Sequence, residues 1–146
     1  MKFFLDENVS VVSLEPLRVI FATRHSFEHA GSLGLLGVDD VDLYPEVRRA
    51  GVDAIISKDG RQLTNQVERR GLFNNGLSFI YMHMGKAQGA KALALELASI
   101  TAGLPYIEER WIPEPWVFRL RGLQSGFSER VSSDMPIWMG AWGKRP

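Results

Sequence analysis

Two short, unbroken apolar runs, each delivered straight into an acid, constrain this chain most. Lys2 to Leu5 shows no alternation and meets Asp6-Glu7-Asn8; Asp53-Ala54-Ile55-Ile56-Ser57 is equally apolar and runs into Lys58-Asp59-Gly60. A strand that is apolar at every position is buried on both faces, which is the condition of a parallel sheet covered by helices. Parallel strands need long crossovers, and the sequence supplies them.

Val9 to Ala22 is apolar and reads as largely helical, with Pro16 in a first turn. His25 to His29 reads as a second strand, followed by a loop punctuated at Gly31, Gly34 and Gly37. Asp39, Asp40 and Asp42 offer N-caps to a helix carrying Leu43, Tyr44, Val47 and Ala50, stopped by Gly51; Pro45 favours a start close to Asp42. A helix through Leu63 and Val67 is expected to end at Gly71. Leu77 to Met82 makes a further strand, and Lys86 to Ala102 a helix with a stripe at Ala90, Leu93, Ala94, Leu97 and Ile100. Alternation of this kind predicts right-handed crossovers and a three-layer α/β/α domain around a central parallel sheet.

From Pro105 onward the texture changes. All four Trp (Trp111, Trp116, Trp138, Trp142) and five of the seven Pro fall there. Residues 1–104 are therefore read as the α/β domain, and 105–146 as an aromatic C-terminal extension packing on that domain or on a partner. Trp116 to Leu120 is one more candidate strand, with an irregular arm from about Gly122.

At 146 residues the chain is long enough to bury a core without a disulfide or a structural metal, and having no Cys it lacks thiolate zinc sites and a cysteine nucleophile. Seventeen acids balance seventeen bases. The balance is uneven along the chain: residues 1–60 hold ten Asp/Glu against six Lys/Arg, residues 61–146 seven against eleven. The apolar run before Asp6 is too short for a signal peptide or a bilayer span, so no membrane partner is expected and the cytoplasm is the expected location.

Functional groups of an open parallel sheet collect beyond the carboxyl ends of its strands. Asp6 and Asp59 each follow an apolar strand, and would emerge together if those strands are neighbours. Asp40 or Asp42, at a helix start on the same rim, is a third acid. Converging carboxylates raise one another's pKa unless a cation neutralises them, and oxygen ligands without Cys favour Mg²⁺ or Mn²⁺ over zinc. Such an ion lowers the pKa of a water and offsets charge on a phosphoryl group, which is nuclease chemistry without a protein nucleophile. The competing account is capping, since Asp and Asn are common after strands and at helix starts. Asn8 caps the next segment or holds a metal-bound water, and Glu7 is expected to point away from the rim.

These residues resemble the PIN and PIN-like ribonucleases, a family that includes the VapC-type toxins. The matching segments are Met1-Lys2-Phe3-Phe4-Leu5-Asp6-Glu7-Asn8, then Asp40-Val41-Asp42-Leu43 with Val47 and Ala50, then Ile55-Ile56-Ser57-Lys58-Asp59, with the glycine-rich loop from Gly31 to Gly37 before the second acid. The resemblance covers about residues 1–85. It implies a Mg²⁺- or Mn²⁺-dependent endoribonuclease with Asp6, Asp40 and Asp59 catalytic and Asn8 and Ser57 in support; the run Asp39-Asp40-Val41-Asp42 leaves the second ligand open among its three acids, and Asp42 is counted with the metal ligands. It also implies a toxin of a type II toxin–antitoxin pair, with RNA as substrate and an antitoxin as protein partner; a homodimer is open. Family members often carry another acid and a Phe after the third Asp, where this chain has Gly60-Arg61-Gln62-Leu63. That departure keeps alive a PIN-like module that binds RNA or protein without catalysis.

Lys58 and Arg61 are candidate substrate-binding cations at the acidic rim, and Arg48, Arg49, Arg69, Arg70, Arg119 and Arg121 are either solvated faces or RNA-backbone contacts. His25 and His29 stand at i, i+4 but in an extended segment, which separates them beyond a shared metal. His83 reads as a polar loop residue or a general base. A phosphoacceptor receiver domain also places acids after its strands, but Lys86 fits its required lysine only loosely.

Overall fold

The computed structural model describes residues 1–123. Five strands form one sheet in the order β2-β1-β3-β4-β5: β1 (Lys2–Leu5), β2 (Ser26–His29), β3 (Ala54–Ser57), β4 (Ser78–His83) and β5 (Val117–Arg121). Every pairing is parallel, with Leu5 beside Ile56, Ile56 beside Ile80 and Ile80 beside Phe118. Four α-helices connect them: α1 (Leu14–Ile20), after a 3-10 turn at Val11–Ser13, then α2 (Asp40–Arg49), α3 (Gln66–Asn74) and α4 (Gly89–Glu109). The expected α/β class with helices on both faces of a parallel sheet is what the chain forms. No helix among the described residues is long and apolar enough to cross a membrane.

Alternation along the strands sorts the core into two halves. Phe3, Leu5, Ala54, Ile56, Ile80 and Met82 face one way, under Leu14 and Leu17 of α1 and Ile100, Leu104 and Ile107 of α4. Phe4, Ile55 and Phe79 face the other way, under Leu43, Tyr44 and Val47 of α2 and Leu72 of α3. Full burial of β1 and β3 on both faces accounts for the lack of alternation that marks them in the sequence.

The uniform right-handed set of crossovers expected from the sequence is not what forms. The steps from β1 to β2 and from β4 to β5 go toward opposite edges of the sheet, yet α1 and α4 lie on the same face. Those two connections therefore have opposite hands. The α2 and α3 connections step toward β5 across the other face and so share the hand of α1, leaving α4 as the exception to the usual rule. α1 has only seven residues and cannot cover its face alone. The 21-residue α4 completes the cover, anchored by the buried Glu96, which accepts hydrogen bonds from Ser10 N and Ser13 Oγ beside α1.

Several boundaries differ from those expected: α1 is confined to Leu14–Ile20, Leu63 falls in the 3-10 turn Gly60–Leu63 before α3, and α4 starts at Gly89 rather than Lys86. α2 starts at Asp40 and takes Pro45 into its interior. α3 runs through Gly71, because that glycine is a packing position rather than a stop: a Cβ there would meet the Tyr44 ring of α2 at 2.7 Å. α4 continues through Pro105 to Glu109, so the division at 104/105 falls inside a helix. β5 then joins the sheet, and Trp111 stacks on Phe118 at 5.8 Å against the core, which makes both part of the domain. Trp138, Trp142 and the rest of the expected arm beyond Leu123 lie outside the described residues.

Candidate functional site

The register that sets β1 beside β3 also brings the turns after these two strands side by side at the carboxyl edge. Asp6 N donates to Ile56 O at 3.0 Å, extending the ladder one residue past β1. A cleft of about 240 Å³ opens there, lined by Asp6, Glu7, Asn8, Asp39, Asp40, Asp59, Arg61 and Gln62, with Leu35 to Val38 as an outer wall. Acids from three distant chain segments thus share one mainly polar depression. Asp42 does not line it; two residues beyond Asp40 on a helix, it faces solvent.

Asp6 is buried at 5% exposure and held from several sides. Its Oδ1 accepts from Glu7 N at 2.8 Å; its Oδ2 accepts from Ser57 Oγ at 2.7 Å and from Asn8 Nδ2 at 2.5 Å. Asn8 Oδ1 in turn accepts from Lys58 N at 2.7 Å, and Ser57 Oγ accepts from Asp59 N at 3.0 Å. Asn8 and Ser57 therefore tie the turn after β1 to the turn after β3. Glu7, expected to point away, lines the cleft and accepts from Gly37 N at 2.9 Å. The chain is already turning at Glu7, so the alternation of an extended strand does not apply.

Asp40 opens α2 and accepts from Gln62 Nε2 at 3.0 Å. Its carboxyl is pushed up to about 7, first by burial, then by the negative charge of Glu68, Asp6 and Asp59 and a hydrogen bond shared with Glu68. Glu68, in the first turn of α3, is an acid that the sequence does not single out: it stands beside Asp40 although none stands at residues 60–62. Tyr44, one turn after Asp40, has its hydroxyl pushed up by burial and by the same acids. Its Oη and Gln62 Oε1 are buried without a hydrogen-bond partner.

Asp59 is drawn the other way. It caps the 3-10 turn Gly60–Leu63 by accepting from Arg61 N at 2.9 Å, and the Arg61 guanidinium grips both its oxygens at 2.5 to 3.0 Å. That grip holds its carboxyl below the usual range. Lys58 is turned off the cleft altogether, its Nζ 2.6 Å from Glu96 Oε2 on the opposite side of the sheet. Its ammonium is thus engaged, half-buried, by the buried Glu96 carboxylate, whereas the sequence places it among candidate substrate-binding groups.

His29 is also occupied: Nδ1 accepts from Gly31 N at 2.9 Å, so Nε2 carries the proton and donates to Val9 O at 2.9 Å. His25 packs between Phe3 and Phe21, its pKa lowered chiefly by burial. Neither histidine, nor the exposed Lys86, lines the cleft.

The donors fit a hard dication in chemistry, being all oxygen and in excess of local positive charge. Among the described residues, no three Asp, Glu or His side chains close into a set able to hold a metal ion as they stand. Asp59 is committed to Arg61, and Asp6 to its three donors. Comparison with protein-family models, curated proteins and solved structures finds no match for this chain.

Proposed function

We propose that this chain is a PIN-like, Mg²⁺- or Mn²⁺-dependent endoribonuclease, acting as the toxin of a type II toxin–antitoxin pair. The observation that carries the reading is that Asp6, Asp40 and Asp59, from three separate turns, line one polar cleft at the carboxyl edge of the sheet. The raised Asp40 carboxyl, pushed up by burial and then by the neighbouring acids, is a second support. Asp6, Asp40 and Asp59 would hold the cation, with Glu68 beside Asp40. When bound, the ion supplies an activated water and charge neutralisation at phosphorus.

The chain's own part is positioning. Ser57 and Asn8 hold the Asp6 carboxylate in one orientation, and the Gln62 amide holds Asp40. Arg61, largely exposed at the cleft mouth, is the cation able to leave Asp59 for an RNA phosphate. The test is cleavage of RNA by the purified protein with Mg²⁺ or Mn²⁺. EDTA and Asp6→Asn are expected to abolish it, and full activity in Asp6→Asn would overturn the assignment.

One observation favours a second reading, a PIN-like module that binds RNA or a protein without catalysis: Arg61 already neutralises Asp59. Calorimetry showing no uptake of Mn²⁺, with RNA or partner binding retained, would select it.

A further inference from the structure

Among the described residues, the exceptional path of α4 leaves part of the sheet without an α-helix over it. Because α4 joins α1 on one face, no α-helix among the described residues covers the opposite face of β4 and β5 beyond Phe79; the 3-10 turn at Gly60 reaches it only at the half-buried Tyr81. That open face carries Tyr81 and His83 from β4, in register with Arg119 and Arg121 from β5. His83, Arg119 and Arg121 are exposed, and Trp116, 55% exposed, stands just before β5 with Arg69 of α3 across a shallow groove. Arg69, Arg119 and Arg121 form no ion pair among the described residues.

This face is continuous with the cleft. The Tyr81 ring lies against Gly60, where a Cβ would come within 3.1 Å of it, and Gly60 stands between Asp59 and Arg61. Tyr81 Oη is 3.4 Å from His83 Nδ1, with the two rings 6.4 Å apart. A row of aromatic rings therefore leads away from the acids, flanked by a parallel row of guanidinium groups.

We propose that the open β4–β5 face binds a single-stranded RNA segment adjoining the one held at the cleft, with Tyr81 and His83 stacking on unpaired bases and Arg119 and Arg121 on the backbone. The inference rests on the ribonuclease reading and extends it to a substrate-holding surface. Arginines two residues apart on a strand sit about 6.6 Å from each other, and neighbouring strands about 4.8 Å apart, so rings and cations alternate at short range. Bases stack on such rings only when they are unpaired. RNA is favoured over a protein partner because guanidiniums with no ion pair among the described residues, spaced regularly along one strand, call for a regular line of anions. The phosphates of RNA neutralise them and release counterions.

The test is fluorescence anisotropy of the full chain with a labelled U12 oligonucleotide in EDTA, where binding is read without cleavage. Arg119→Ala/Arg121→Ala is expected to weaken binding at least tenfold and to reduce the slope of log affinity against log salt by about 1.4. Tyr81→Leu is expected to weaken it about fivefold or more with the slope unchanged. His83→Ala, at an exposed position, repeats that test where folding is not at stake. Wild-type U12 affinity in folded Arg119→Ala/Arg121→Ala protein, or duplex RNA bound as tightly as U12, would overturn the proposal. Failure of the nuclease reading looks different: U12 is bound and lost on these substitutions, but is not cut when Mn²⁺ is added.

Discussion

Lys58 Nζ lies 2.6 Å from Glu96 Oε2, and Glu96 is only 3% exposed. The same carboxylate accepts from Ser10 N and Ser13 Oγ, so one buried charge ties the turns after β1 and β3, which carry the candidate catalytic acids, to α4. Removing Glu96 leaves Ser10 N and the buried Ser13 hydroxyl without their acceptor, while the partly exposed Lys58 turns to water. Glu96→Ala is expected to cost about 2 kcal/mol, mainly from those orphaned donors. Glu96→Gln keeps acceptors for Ser10 and Ser13 and is expected to cost less. Urea midpoints of the two variants check the ordering; equal stability in wild type and Glu96→Ala would show that the pair anchors nothing.

The Asp40 carboxyl gives stability a distinctive pH dependence. Its folded pKa, about 7, stands above the ordinary value near 3.9 of an unfolded Asp. Between those values the folded chain retains a proton that the unfolded chain has lost, so this group makes stability fall as pH rises from about 4 to about 7. Asp59 acts in the opposite sense: Arg61 lowers its pKa, and its contribution is lost only on acidification below about 4. Urea midpoints at pH 5 and pH 8 are expected to favour pH 5 in the wild type, and the difference to shrink in Asp40→Asn. Mg²⁺ or Mn²⁺ is expected to raise the Tm at pH 8 and to do little at pH 5, where protons compete for Asp40.

The physics of each element decides how much of it is legible in the sequence. β1 and β3 announce themselves because burial on both faces leaves polar residues only at their ends, Lys2 and Ser57, and Asp6 and Asp59 come with them. Asp40 and Asp42 are equivalent as residue types, and only helix phase decides that the first lines the cleft. Glu68 carries no signal of its own, since an acid in a helix's first turn is ordinary; it matters because α3 packs on α2 through the Gly71–Tyr44 contact. The path of α4 is equally silent. Its stripe predicts burial but not which face, and that choice depends on the short α1 and the distant hydrogen bonds of Glu96. Pro105 signals a break that long-range packing overrides.

His29 illustrates a tempting residue with a structural occupation. Both ring nitrogens are satisfied by backbone groups, tying the end of β2 to Val9 and to the glycine-rich loop that walls the cleft. His29→Leu leaves the Val9 carbonyl and the Gly31 N–H without their partner. The expected loss is about 2 kcal/mol, read as a lower urea midpoint. A shared metal with His25 would instead show as zinc-dependent stabilisation of the wild type, and that is not expected.

Arg61 is where the structure separates the two functional readings. It is 90% exposed yet grips Asp59 through both carboxylate oxygens, so it competes with any cation for that ligand. An exposed ion pair is weak, and a dication should displace it at modest cost. Arg61→Ala is therefore expected to tighten Mn²⁺ binding by about threefold to tenfold in calorimetry. If Arg61 then moves to an RNA phosphate, the same variant has a raised KM for RNA despite its better metal site, and the loss diminishes at high salt, where the phosphate contact is screened. Unchanged Mn²⁺ affinity in Arg61→Ala would mean that Asp59 is a capping residue of the turn Gly60–Leu63, and would leave Asp6, Asp40 and Glu68 as the acids able to meet a cation.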